Sequence, residues 1–190
     1  MDKFKTFLQN IAPITDAEFE EAQIYFEELK LKKGDCFIEQ GKVCKHIAYI
    51  KKGTLKTFYS NDKSLETTSC FCVENSFTTS YKSFILQTPS AQTIKAIEET
   101  ELLIIDFENL QKLYAKSYVW QNIGRAFAER EYLVMEQYAS TLNNETAKEK
   151  YLRLLKEQPT IVQKASIKDI ASYLGVTSRT LSRIRQEIIK

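Results

Sequence analysis

The chain of 190 residues is poor in histidine, arginine and glycine, and each shortage removes a class of chemistry. His46 is the only histidine, so imidazole acid–base catalysis and His-rich metal sites have almost nothing to draw on. No arginine precedes Arg125, and no glycine lies between Gly53 and Gly124. A glycine-rich phosphate loop is therefore absent from the middle of the chain. No apolar run reaches the length of about 18 residues that a membrane helix needs. The first residues, Met1-Asp-Lys-Phe-Lys-Thr-Phe7, are too polar for a signal peptide. The four cysteines (Cys36, Cys44, Cys70, Cys72) are too few and too oddly placed for a disulfide scaffold, so reduced thiols in a cytoplasmic protein are expected. There is no Cys-x-x-Cys, and Cys70-Phe71-Cys72 is read as a strand whose thiols project to opposite faces. On that reading neither a metal site nor a cofactor is expected. Nucleophile motifs are missing too, so an enzyme is not expected, and Glu20-Glu21 and Glu98-Glu99 read as solvated surface.

What is present is a globular composition, 43% hydrophobic and 27% charged, and one strong pattern at the C-terminal end. Ser166 is placed to cap a helix, with Asp169 three residues on. Ile167, Ile170, Ala171 and Leu174 recur at helical spacing. Gly175 suits a left-handed C-terminal cap, Val176 sits in the turn, and Thr177 or Ser178 caps a second helix with Leu181, Ile184 and Ile188 inward. Ala171 supplies the small residue that crossed helices need where they touch. The outward face of the second helix carries Ser178, Arg179, Ser182, Arg183 and Gln186, side chains able to reach base edges and phosphates. Thr177, Thr180 and Lys168 are the expected phosphate contacts. The pattern is that of a DNA-binding helix-turn-helix; a plain helical hairpin is the alternative. Residues 145–190 hold ten Lys or Arg against five Asp or Glu, a surplus of +5 in a chain of net +2. The basic excess lies around the motif, as phosphate binding requires.

Before the motif the periodicity predicts helices over 2–12 and 16–30, with Thr15 and Glu18 as a capping box. Strand-like runs follow from Leu31 to Asp106, punctuated by turns at Gly34-Asp35, Gly41, Gly53 and Asn61-Asp62. Many short strands with regular turns indicate an antiparallel barrel or jelly roll. A short helix is predicted over 107–116 and a long one from Tyr118 to about Asn143. Trp120, Ile123, Phe127, Val134, Tyr138 and Thr141 line one stripe of the long helix. Its length points to a dimer seam formed by Ile123, Phe127 and Val134; packing along its own barrel is the alternative. A further helix over 145–157 stops before Pro159. The class is α+β in three parts: a sensor barrel over 1–116, a dimerisation helix over 117–143, and a helix-turn-helix domain over 144–190.

Helices, barrel, long helix and helix-turn-helix in this order resemble the cyclic-AMP-receptor-like (Crp–Fnr) bacterial transcription regulators. The resemblance rests on Lys33-Gly34-Asp35, Glu39-Gln40-Gly41, Ile50-Lys51-Lys52-Gly53, Ala96-Ile97-Glu98 with Leu102-Leu103-Ile104, and Ile170–Thr177 with Thr180-Leu181-Ser182-Arg183. It implies a cyclic-nucleotide-binding-like sensor domain, double-stranded DNA and RNA polymerase as partners, a homodimer, and a small effector. The family's phosphate clamp pairs Gly-Glu with an Arg about ten residues on, a fixed bidentate cation beside close backbone donors. Here residues 74–92 contain neither Gly nor Arg, Ser90 falls near the clamp position, and Lys82 offers only a point charge. Cyclic AMP is therefore not the expected effector; a less charged ligand, or none, is. Phe77, Ser80, Tyr81, Lys82, Ser90 and Gln92 are the expected pocket residues. The family's β-hairpin wing has no counterpart before Lys190, so fewer phosphate contacts are expected. The competing reading is a ligand-binding or protein-interaction module whose truncated helix-turn-helix does not read DNA.

Overall fold

The computed structural model describes residues 1–61 and 65–189. Asp62, half of the expected Asn61-Asp62 turn, lies outside the described residues. Helices α1 (Asp2–Gln9) and α2 (Asp16–Ala22) lead into eight strands: β1 (Glu27–Leu31), β2 (Cys36–Ile38), β3 (His46–Lys52), β4 (Leu55–Ser60), β5 (Glu66–Cys72), β6 (Phe77–Thr78), β7 (Thr93–Ala96) and β8 (Thr100–Asp106). A short helix α3 (Tyr81–Leu86) interrupts them between β6 and β7. The rest is helical: α4 (Phe107–Lys116), α5 (Tyr118–Asn144), α6 (Ala147–Glu157), α7 (Pro159–Lys164), α8 (Ile167–Leu174) and α9 (Ser178–Ile189).

The strands do not close into a barrel. They form two antiparallel four-stranded sheets, ordered β1-β8-β3-β6 and β2-β7-β4-β5. Apart from the β4–β5 hairpin, the chain alternates between the sheets, as in a double-sheet jelly roll. Gly53 turns the chain from β3 to β4 at φ +99°, where a Cβ would stand 2.6 Å from the Glu99 carbonyl oxygen. Both inner faces feed one core that includes Ala48, Ile50, Leu55, Ile94, Leu102 and Ile104. Each such isoleucine or leucine contributes roughly 1.5–3 kcal/mol by leaving water. An aromatic cluster of Phe4, Phe7, Tyr49, Phe77 and Phe127 joins α1, the first sheet and α5, with ring centroids 4.6–6.3 Å apart.

Two helix expectations change. The helix expected over 16–30 ends at Ala22, followed by one 3₁₀ turn, and Glu27–Leu31 is a strand paired with β8. Tyr25, Phe26 and Leu29 are half-buried against the core in either case, so their spacing alone misleads. The long helix is present, but Trp120, Ile123 and Phe127 are buried in the core of their own jelly roll. Ile123 and Phe127 therefore do not form an intersubunit seam; Val134, further on, is 44% exposed. The side chains of Tyr138 and Thr141 lie outside the described residues.

Gly124 lets α5 approach α4, because a Cβ there would strike the Tyr114 ring. Burial pushes the Tyr114 hydroxyl up to about 12. Its pKa is raised on folding, so its contribution is intact below the unfolded value near 10 and is lost as pH climbs toward the folded one. Stability should fall by about 2–3 kcal/mol between about pH 10 and pH 12 from this group. Urea unfolding across that range checks it: Tyr114→Phe should flatten the fall, and an unchanged pH profile in that variant would contradict it.

Candidate nucleic-acid interface and effector cavity

Helices α8 and α9 are built as their sequence dictates. The Ser166 hydroxyl accepts from the Asp169 amide at 3.0 Å, and Gly175 ends α8 at φ 71°, ψ 29°. The Thr177 hydroxyl accepts from the Thr180 amide at 3.2 Å, so Thr177 rather than Ser178 caps α9. Ile170, Ala171, Leu174, Leu181 and Ile184 are buried together with Tyr151, Leu154 and Ile161. This leaves Lys168, Thr177, Ser178, Arg179, Ser182, Arg183 and Gln186 exposed, with Thr180 half-buried. Two of these groups are partly engaged: Ser182 donates to the Ser178 carbonyl at 3.0 Å, and Arg183 stands 4.0 Å from Glu187. Arg179 has no salt bridge among the described residues. Arg185 turns inward instead, its guanidinium 5.6 Å from the centre of the Tyr151 ring.

The C-terminal helices are docked on the outer face of the second sheet. Phe71 of β5 and Ile97 belong to their apolar cluster, and Phe71 meets Tyr173 at 5.6 Å. Strand β5 is an edge strand, whose free backbone groups need a cover. The Ser172 hydroxyl provides it, accepting from the Thr68 amide and donating to the Glu66 carbonyl, both at 2.9 Å. Lys56 of β4 lies under this interface, its ammonium 2.8 Å from Glu66 and 2.6 Å from Asp169. Its side chain is 9% exposed. Lys164 reaches Glu98 at 2.8 Å, so Glu98, expected as solvated surface, is a half-buried tie between the two parts.

On the inner side of β5 lies a cavity of about 280 Å³ between the second sheet and α5. Of the expected pocket residues, Phe77 and Gln92 line it. Ser80 and Ser90 are buried outside it, bonded to each other at 2.8 Å. Tyr81 packs on Phe127 at 5.5 Å, and Lys82 is exposed away from the lining. Sequence reasoning missed Thr57, Cys70, Cys72, Glu131, Arg153 and Tyr173, which the fold brings here from β4, β5, α5, α6 and α8. Burial raises the Glu131 carboxyl above its ordinary value, against a smaller opposing pull from Arg130. Arg153 is already held by Glu145 at 3.2 Å and Glu157 at 3.7 Å.

Cys70 and Cys72 do not project to opposite faces. Alternate residues of a strand share a face; both line the cavity, while Phe71 between them packs on the C-terminal helices. Phe71 and Tyr173 also line the cavity, so α8 borders it beside β5.

Residues 28–117 match the family model of the cyclic nucleotide-binding domain. No curated protein is significantly similar to the chain in sequence. Among solved structures, FixK2 from Bradyrhizobium japonicum is similar at TM-score 0.75 and 17% identity, over 86% of this chain and 84% of that one. A protein of Eubacterium rectale, described as a regulator of the crp/fnr family, is similar at TM-score 0.71 and 19% identity, over 92% and 83%. The c-di-GMP-responsive global regulator CLP of Xanthomonas campestris is similar at 0.70 and 16%, over 92% and 91%. The chain thus carries a segment that matches the cyclic nucleotide-binding domain, within a fold shared with these three solved structures.

Proposed function

We propose that the chain is a homodimeric, DNA-binding transcription regulator. In this reading α8 and α9 are a helix-turn-helix, residues 144–190 the DNA-binding domain, and residues 1–116 the sensor. The observation that carries it is the face of α9: Ser178, Arg179, Ser182, Arg183 and Gln186 are exposed together while Leu181 and Ile184 are buried behind them. A helix with that face presented beyond its domain fits a major groove. The cavity beneath α5 is the effector site. Its arginines stand on α5 and α6, outside the loop where a cyclic phosphate would need its clamp, so cyclic AMP is not its ligand. Electrophoretic shift with genomic fragments tests the reading. A fragment retained at nanomolar protein and physiological salt supports it; uniform, salt-sensitive binding to every fragment overturns it.

The dimer forms along the outer side of α5, the face turned away from the jelly roll. Tyr132 and Leu133 are 70% and 61% exposed. Ala128 and Tyr132 stand four residues apart, one step of a coiled-coil seam. Each large side chain buried there contributes roughly 1.5–3 kcal/mol. Tyr132→Glu with Leu133→Glu should give folded monomers by light scattering. A wild-type chain that is monomeric at tens of micromolar, roughly where weak dimers persist, rules the seam out.

A further inference from the structure

We infer that Cys70 and Cys72 form a two-thiolate site for a soft monovalent cation of the copper(I) class. The inference goes beyond the DNA-binding reading and does not depend on it. Both thiols are free, leave the same face of β5 and line the same cavity. The other two cysteines do not share it: Cys36 is on β2, and Cys44 is buried with its sulfur 3.4 Å from the His46 carbonyl.

The spacing decides which chemistry the pair suits. Alternate residues of a strand stand about 6.6–6.8 Å apart at Cα, with side chains roughly parallel. A disulfide needs Cβ atoms about 3.5–4.5 Å apart, so closing one would buckle the strand. Two thiolates that share a cation need only bring their sulfurs to about 4.6 Å, twice a metal–sulfur distance of about 2.3 Å. Rotation about Cα–Cβ achieves that without moving the backbone. Among the described residues no group of three or more His, Cys, Asp or Glu could hold a metal. Zinc, which takes three or four protein ligands, is therefore undersupplied. A two-coordinate soft cation is not, and thiolate is the donor that selects copper(I).

The surroundings orient the sulfurs. Thr78 Oγ1 donates to Cys72 Sγ at 3.4 Å, and Thr57 and Ser69 lie beside Cys70. On binding, each S–H gives its proton to solvent and two metal–sulfur bonds form, leaving the site with one negative charge. Arg130 lines the same cavity and opposes that charge.

The test is anaerobic titration of the reduced full-length chain with copper(I) against a chromogenic copper(I) chelator. One copper per chain should be withheld. Cys70→Ser and Cys72→Ser should each weaken it by more than about a hundredfold, beyond the usual effect of an outer-shell change; Cys36→Ser should not. Circular dichroism checks that the serine variants are folded. If they are not, alkylation of the wild-type chain decides: copper should protect both Cys70 and Cys72, read by peptide mass. No copper withheld, binding that survives either serine variant, or full alkylation despite copper overturns the site. A chain that withholds copper but retains no DNA fragment would sink the regulator reading and leave this one standing.

Discussion

Replacing Lys56 with methionine is expected to cost about 3–5 kcal/mol, the range for removing one partner of a buried ion pair. Lys56 stands between two carboxylates, Glu66 at 2.8 Å and Asp169 at 2.6 Å, whose side chains are 28% and 15% exposed. Burial opposes its charge, but the hydrogen bonds it donates to Asp169 and Glu66 outweigh burial and hold the ammonium above its ordinary value. Methionine keeps the apolar stem and removes the cation, so two carboxylates are left facing each other at the junction of β4, β5 and α8. The loss should show as a lower urea midpoint and as earlier proteolysis within residues 144–166, where the C-terminal helices come away from the sheet. Neutralising the partners as well, with Glu66→Gln and Asp169→Asn, should recover most of it. A cost under about 1 kcal/mol, the value of a solvent-exposed pair, would show that the contact is not a buried tie.

The largest effect on binding is expected from α9. Changing Arg179 and Arg183 together to alanine should weaken the specific site by about 2–6 kcal/mol, from about 1–3 kcal/mol for each bidentate contact to a base. They lie four residues apart on the exposed face, and Glu187 holds Arg183 only weakly at 4.0 Å. Non-specific affinity should fall less. Lys168→Ala, on α8, should weaken all sequences alike and lower the slope of affinity against salt by about one. Fluorescence anisotropy on specific and random duplexes at several salt concentrations separates the two. Unchanged specific affinity in a folded double variant would make α8 and α9 a structural hairpin.

Local chemistry was legible in the chain itself. Thr15 with Glu18, Ser166 with Asp169, and Gly175 act as read, because a cap needs only residues three or four apart. The positions of most strands, and the long helix, follow from apolar periodicity in the same way. The failures are of another kind. Glu27–Leu31 has helical spacing, yet it is a strand because β8 offers it a full ladder of partners. Phe127 reads as half of a seam, yet it is buried because the jelly roll reaches it first.

The cavity shows the same division. Cys70 and Cys72 were visible as a pair, and strand geometry alone would have put them on one face; the sequence reading misjudged that. No local signal places Arg153 or Tyr173 beside them, because those contacts cross between the sheet and the C-terminal helices. Sequence by itself determined the caps, the periodicities, the basic C-terminal excess and the missing phosphate clamp, all properties of neighbours along the chain. Tertiary structure alone decided that the strands form two sheets and which face of α5 is left exposed. It also decided that Lys56 is shared between Glu66 and Asp169. Those outcomes depend on which distant surfaces lose water against each other, and that free energy belongs to the packed pair, not to either segment.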